Sequence, residues 1–222
     1  MNKKCIVLLS GGLDSTTVLK IAQKDFEVVP IVFDYGQRHR FEILAAKKIA
    51  TQNGLKAKLI KIDLKQFGNS ALTADIEVPK NQEIGNEIPV TYVPVRNTIF
   101  LSYALAFCEV EKIYDIFIGV NALDYSGYPD CRPEFISSFE TMANLATKFT
   151  QNNKKIKIHT PLIDLSKSEI ISTGVKLGID YSSTHSCYDP DKNGRACKEC
   201  DACILRSNGF KKANINDPTI YQ

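Results

Sequence analysis

The sequence predicts an α/β protein, a Rossmann-like parallel sheet flanked by helices, with a small cysteine-rich appendage near its C-terminal end. Three observations predict it. Short apolar runs recur between stretches of helical spacing, the rhythm of β-α-β units joined by crossovers. The first run, Cys5-Ile6-Val7-Leu8-Leu9, leads directly into a glycine-rich turn, Ser10-Gly11-Gly12-Leu13-Asp14-Ser15, and then into a helix. Near the other end, Cys187, Cys197, Cys200 and Cys203 gather in a stretch full of turn residues. On this reading residues 1–180 form the α/β domain and residues 181–222 the appendage.

The turn has the chemistry of a phosphate site. Two glycines let the backbone approach a ligand closely, and the N–H groups and positive end of the following helix attract anionic oxygens. Ser10, Ser15 and Thr16 add hydroxyl donors. No Lys follows the glycines as a Walker A loop requires, and the spacing is not that of a dinucleotide fingerprint. Asp14 would repel phosphate unless a cation lies between them, which points to Mg²⁺. The bland alternative is an ordinary strand-to-helix turn rich in Gly and Ser.

After the turn, Asp14 to Lys24 reads as a helix and Val28-Val29-Pro30-Ile31-Val32-Phe33 as the second strand, with Pro30 weakening that reading because proline prefers edges and strand starts. The strand ends at Asp34-Tyr35-Gly36-Gln37, on the carboxyl edge where open α/β sheets bind nucleotides. Asp34, Tyr35 and Gln37 are therefore contact candidates, a plain polar loop being the alternative. Arg40 to Gln52 is helical, with Phe41, Leu44, Ala45 and Ile49 on one face and Asn53-Gly54 as its stop. Lys58 to Ile62 supplies a third strand. Residues 63–94 show no period, and a loop of that length is usually a lid, a substrate loop or a disordered segment.

Val93-Pro94-Val95-Arg96-Asn97 opens the next helix, which carries Phe100, Leu101, Ala104, Leu105 and Cys108 at helical spacing. Asn97 can be its cap or a ligand contact, and Arg96 can neutralise a phosphate or a carboxylate. Ile116 to Val120 is a fourth strand, ending at Asn121-Ala122-Leu123-Asp124. The compact loop Tyr125-Ser126-Gly127-Tyr128-Pro129-Asp130-Cys131-Arg132-Pro133 follows, ahead of a helix from Glu134 to Thr150. Tyr125 and Tyr128 can stack on a planar ring, and Asp130 can accept paired N–H bonds from a guanine-like edge, or the loop is simply a turn with helix-capping charge. Lys157 to Ile163 gives a fifth strand or an extended segment, in which His159 reads as a strand-end or core histidine. Ser166 and Glu169 match a capping box, which leaves Lys167 unexplained: it faces phosphate or it is solvated.

Bulk properties bound the rest. With 44% apolar residues in a chain of 222 there is enough for a real core. Lys plus Arg number 28 against 25 for Asp plus Glu, and the basic clusters are short, so no nucleic-acid groove is demanded. The apolar run after Met1-Asn2-Lys3-Lys4 is too short for a secretory signal, and nothing approaches the ~18 apolar residues of a membrane span. Seven cysteines, an odd number with four clustered, suit a reducing compartment. A cytoplasmic protein without a membrane partner is expected.

Cys187, Cys197, Cys200 and Cys203 form C-x9-C-x2-C-x2-C. Short x2 spacings let a chain wrap one tetrahedral zinc ion, and metal binding would stabilise a segment too poor in apolar residues to fold unaided. An iron–sulfur cluster is the rival, although the Cys-Pro of ferredoxins is absent. Cys5, Cys108 and Cys131 read as two core thiols and one loop thiol.

The hexapeptide at 10–15 resembles the S-G-G-x-D-S signature of the PP-loop ATP pyrophosphatases, whose fold is that of the adenine nucleotide alpha hydrolases. With SGGLDSTT at 10–17, FDYGQRH at 33–39, VPVRN at 93–97, SGYPDCRPEF at 126–135 and CKECDACILRSNGFKKA at 197–213, the chain resembles the 7-cyano-7-deazaguanine synthases of the queuosine pathway nearly end to end. It departs between Cys187 and Cys197, where a glycine-rich approach ending near Cys-Gly is expected and Ala196, Cys197 and Lys198 stand. The resemblance implies a carbon–nitrogen ligase: ATP-dependent conversion of 7-carboxy-7-deazaguanine and ammonia to 7-cyano-7-deazaguanine through an adenylated acid and an adenylated amide.

It further implies an ATP site formed by Leu9, Ser10, Gly11, Gly12, Leu13, Asp14, Ser15, Thr16, Thr17, Val18 and Leu19. Asp14, Ser15, Arg96 and Lys167 are the implied catalytic set, with Arg96 and Lys167 offsetting charge at the α-phosphate. Tyr35, Gln37, Asn97, Asp124, Tyr125, Tyr128, Asp130 and Arg132 are the implied substrate contacts. Mg²⁺, one structural Zn²⁺ per subunit, a homodimer, and free ammonia or a separate ammonia donor complete the expectation. The rival functions are a tRNA-modifying PP-loop enzyme, such as a thiolating one, and a nonenzymatic nucleotide sensor.

Overall fold

A computed structural model describes residues 3–82, 87–121, 128–149 and 153–222. The strands are β1 (Lys3–Leu8), β2 (Phe26–Asp34), β3 (Lys58–Lys61), β4 (Asp115–Phe117) and β5 (Lys157–His159). The helices are α1 (Leu13–Ala22), α2 (Phe41–Gln52), α3 (Arg96–Glu111), α4 (Pro133–Ala146), α5 (Lys167–Lys176) and α6 (Asp201–Lys212). All strand pairs are parallel, and the sheet runs β3-β2-β1-β4-β5.

The first strand made is thus the middle of the sheet, and it is apolar on both faces because both are covered. Cys5, Val7 and Leu9 point into one core with Val18 and Leu19 of α1, Ile43, Ala46 and Ile49 of α2, Ile170 of α5 and Phe210 of α6. Ile6 and Leu8 point into the other with Leu101 and Leu105 of α3 and Ile136 and Phe139 of α4. This is the strand period of two read out by two different sets of helices. The winding direction reverses between β1 and β4, so the cleft beyond their carboxyl ends is where such a fold takes a ligand.

Several sequence expectations change in detail. Pro30 lies within β2, opposite Val7. The carbonyl of Ile31 accepts from Leu9 of the β1 side, so Pro30 directs its donorless nitrogen toward β3, whose pairing begins only at Ile31. The buried residues of α2 are Ile43, Ala45, Ala46, Ile49 and Ala50, whereas Leu44 is 59% exposed. Helix α4 stops at Ala146 and β5 at His159, where Thr160-Pro161 turns the chain.

Within 63–94 the described residues form a packed connection. Leu64, Leu72, Val78 and Val93 are buried, and the Arg38 N–H donates to the Leu72 carbonyl. Asn81 bonds Glu199 through backbone and side chain, and Lys80 reaches Asp189 at 3.1 Å, tying this segment to the cysteine-rich stretch.

Candidate active site

The glycine-rich turn leaves β1 and enters α1, whose Gly12 N-cap offers no side-chain acceptor to the first N–H groups. Gly11 has φ +88°, and a Cβ there would lie 2.4 Å from the Glu42 carbonyl oxygen, so only glycine lets the turn rest on α2. The turn is knit by its own hydroxyls. The Ser10 N–H donates to Ser15 Oγ at 3.2 Å, the two Oγ atoms are 3.0 Å apart, and Thr16 Oγ1 donates to the Gly12 carbonyl at 2.8 Å. Thr17 Oγ1 is 2.7 Å from the Tyr181 hydroxyl, and Val18 and Leu19 are core.

Asp14 faces Lys167. The Lys167 ammonium lies 2.8 and 2.9 Å from the two Asp14 oxygens and is almost completely buried. Lys167 is delivered by the start of α5, where Ser166 and Glu169 form the full capping box. Close approach of α6 holds it there, since a Cβ at Gly209 would collide with the Lys167 stem at 2.4 Å. A lysine brought from 153 residues away thus lies against the carboxylate for which the sequence suggests a divalent cation.

A cavity of about 210 Å³ opens beside this pair, bounded by Ser10, Gly12, Leu13, Asp14, Ser15 and Lys167 on one side and by Tyr35, Gln37, Arg96, Asn97 and Tyr128 on the other. Arg96 Nη1 donates to the Tyr35 hydroxyl at 3.3 Å, with its guanidinium 5.7 Å from that ring. Burial alone would weaken the Arg96 charge, but Tyr35, Tyr128, Tyr188 and Glu42 around it hold its pKa above the ordinary value. Burial pushes the Tyr35 phenol up to about 12. Gln37 Oε1 accepts from the Tyr35 N–H at 2.8 Å and so fixes the turn that presents Tyr35.

Asp130 and Arg132 do not line this cavity. Asp130 is buried behind Asn97, where Oδ2 accepts the Asn97 N–H at 2.9 Å and its carbonyl accepts Asn97 Nδ2 at 3.1 Å. Asn97 is therefore neither cap nor solvated, because Asp130 and Cys131 Sγ orient its amide. Arg132 sits at the exposed start of α4. Gly11, Thr16, Thr17, Val18 and Leu19 lie behind the turn rather than on the cavity wall. Asp124 and Tyr125 lie outside the described residues.

Sequence reasoning missed two contributors to the wall. His185, Ser186, Tyr188 and Arg206 come from the C-terminal stretch, and Glu42 from the first turn of α2. The His185 N–H donates to the Gly11 carbonyl at 2.9 Å, and burial depresses its imidazole to about 4.

The sulfur atoms of Cys187, Cys197, Cys200 and Cys203 all lie within 4.8 Å of one another, and all four residues are buried. Four thiolates ~2.3 Å from a tetrahedral zinc ion would lie ~3.8 Å apart, so this cluster fits such an ion with little rearrangement. Backbone N–H groups of Asp189 and Cys197 already point at Cys187 Sγ, and that of Cys200 at Cys197 Sγ, at 3.2 to 3.4 Å. Those donors suit sulfur that carries negative charge. Hydrogen bonds from Cys187 and Cys203 hold the Cys200 thiol well below its ordinary range while their own are pushed up.

A family model described as queuosine biosynthesis protein QueC matches residues 4–214. The chain belongs to the QueC family. Among its relatives, a protein of Geobacter sp. (strain M21) named 7-cyano-7-deazaguanine synthase is 59% identical, covering 100% of this chain and 99% of that one. A protein of the same name from Hydrogenovibrio crunogenus is 60% identical over 99% of this chain and 96% of its own. Among solved structures, NMN synthetase from Francisella tularensis matches with a TM-score of 0.52 over 97% of this chain and 79% of that one, at 15% identity, which speaks to the fold alone.

Within this QueC member the residue that departs from the expected Cys-Gly is informative. Lys198 has φ +68°, a left-handed backbone that glycine adopts without strain. Asp191 closes the preceding loop by accepting the N–H groups of Asn193 and Arg195, so the altered stretch still delivers Cys197 to the cluster.

Proposed function

We propose that this protein converts 7-carboxy-7-deazaguanine to 7-cyano-7-deazaguanine with ammonia and two rounds of ATP-dependent adenylation. One observation carries the reading: the SGGLDS turn and the Asp14–Lys167 pair face Tyr35, Arg96, Asn97 and Tyr128 across a single cavity. The family's name and its close relatives' names support it.

A carboxylate resists ammonia because its leaving group would be oxide, so adenylation supplies AMP as the leaving group instead. The amide that forms is unreactive in turn, and a second adenylation on its oxygen allows elimination to the nitrile. The turn from Ser10 to Thr17, with α1 behind it, would hold the pyrophosphate, and Mg²⁺ held by Asp14 would offset the phosphate charge there. Ser15 supplies a hydroxyl donor, and Lys167 and Arg96 stabilise charge that grows at the α-phosphate.

Tyr35, Gln37, Asn97 and Tyr128 contact the deazaguanine, with Asp124 and Tyr125 as further contacts and Asp130 behind Asn97. Asp130 acts there through Asn97. The four cysteines hold one Zn²⁺ per subunit in a closed shell, which gives the metal a structural role and makes the stretch from 181 onward metal-dependent. The protein works as a cytoplasmic homodimer on free ammonia or on ammonia from a separate donor.

The test is mass spectrometry of products after incubation with ATP, Mg²⁺, ammonium and 7-carboxy-7-deazaguanine. The expected products are the nitrile, AMP and pyrophosphate. AMP without nitrile would mark an amide-forming relative, and no AMP at any ammonium concentration would overturn the reading in favour of a tRNA substrate.

A further inference from the structure

Two carboxylates line the cavity among the described residues, Asp14 and Glu42. Asp14 is held by Lys167 through both oxygens. Glu42 is different: among the described residues no hydrogen bond or ion pair engages its carboxylate. Its helix places it across from Arg96, and its side chain is only partly exposed. Burial raises its pKa to about 7, against the pull of Arg96, and its charge in turn raises Tyr35. Arg96 of α3 is the cation that faces it and Tyr35 beyond β2 the titratable neighbour, while Asp14, Lys167, His185 and Arg206 border the same space from the turn, α5 and the C-terminal stretch.

The proposed reaction sheds three protons from one nitrogen. Ammonia attacks the acyl adenylate, a C–N bond forms, the C–O bond to AMP breaks with AMP taking the electron pair, and the cationic nitrogen must lose a proton. When the amide oxygen then displaces pyrophosphate from ATP, the nitrogen loses a second. The third leaves as the C–O bond to AMP breaks again and the C≡N bond completes. A base is needed beside the reacting carbon, yet one exposed enough to return its proton to water.

We propose that Glu42 is the general base that takes these protons from the nitrogen. This inference rests on the ligase reading above. Asp14 cannot serve, because its oxygens are committed to Lys167 and, on that reading, to Mg²⁺. His185 borders both this cavity and a smaller one beside the cysteine cluster, and its backbone N–H holds the turn. A base must be ionised to act, so the rate through Glu42 rises with pH and levels off above about 7.

The decisive experiment starts from the preformed amide, 7-carboxamido-7-deazaguanine, with ATP and Mg²⁺, which removes the titration of ammonium from the pH profile. Nitrile formation by the unaltered protein is expected to show an acid limb near neutrality. Glu42→Gln is expected to lower nitrile formation at least about 100-fold and abolish that limb, while carboxylate-dependent exchange of labelled pyrophosphate into ATP falls no more than about threefold. Glu42→Asp, which keeps a carboxylate, should retain the limb at a reduced rate. Nitrile formation by Glu42→Gln at the unaltered rate with the limb intact would overturn the proposal, as would equal loss of exchange and nitrile in both variants, the signature of a structural role. If the unaltered protein shows no carboxylate-dependent exchange, the ligase reading itself fails and the proposal falls with it.

Discussion

Lys167 and Asp14 make the phosphate turn a place where charge is already arranged. Replacing Lys167 with Ala should reduce kcat/KM by about 10²–10³-fold, measured as AMP release, because both the Asp14 counter-charge and a donor to the growing phosphate charge are lost. Asp14→Asn should abolish turnover and cost about 2 kcal/mol of stability in urea unfolding, since the buried ammonium then faces a neutral amide. Lys198 predicts the opposite sign. With its φ at +68°, Lys198→Gly should stabilise the holo protein by up to about 1 kcal/mol, read as a rise in unfolding midpoint. Asp14 was legible from its neighbours in sequence. Lys167 was visible as a lysine that a capping box could not explain, but its partner was not. Glu42 gave no local signal, because a glutamate in the first turn of a helix reads as an ordinary dipole-favoured surface residue. Its environment is made by Arg96 and Tyr35, residues that arrive from other elements.

At the scale of elements, sequence pattern located the five strands and the helices α1 to α5 but not α6, which lies in the stretch read as a cysteine-rich appendage, and turn chemistry located starts better than ends. The capping box at Ser166 and Glu169 was readable to the residue, and it matters beyond stability because the next residue is Lys167. Ser166→Ala should cost about 1 kcal/mol and lower AMP release more than that stability loss explains. The face of α2 was read correctly at Ala45 and Ile49 but not at Leu44, which fits a helical spacing with Phe41 yet faces solvent. Ile43→Ala should therefore cost about 3 kcal/mol and Leu44→Ala less than about 0.5, by denaturant titration. The segment 63–94 lacked any period for a different reason. Its described residues are ordered by long-range partners, Arg38, Asp189 and Glu199, which no window of local sequence contains.

Across the whole molecule, the cysteine cluster and the phosphate turn are mechanically joined. The carbonyl of Cys187 lies 3.0 Å from His39 Nε2, and two residues earlier His185 bonds the Gly11 carbonyl. Stripping the metal with a strong chelator should release one zinc per chain and weaken ATP binding as well as lower the unfolding temperature, a coupling that calorimetric titration of apo and holo protein would read. The parallel α/β class, the turn and the thiol set were legible because each is written in adjacent residues. The shared wall between the C-terminal stretch and the cavity was not, since it depends on how α6 returns to α5. That return has a consequence for biosynthesis. Phe210 completes the same core as Cys5 and Val7, and β1 finds its second neighbour only when β4 is made. During synthesis β1 must therefore wait for α6, with apolar surface exposed in the interval. Nascent chains arrested before residue 210 should stay protease-sensitive along their entire length, and synthesis is the stage at which this protein is most exposed to aggregation.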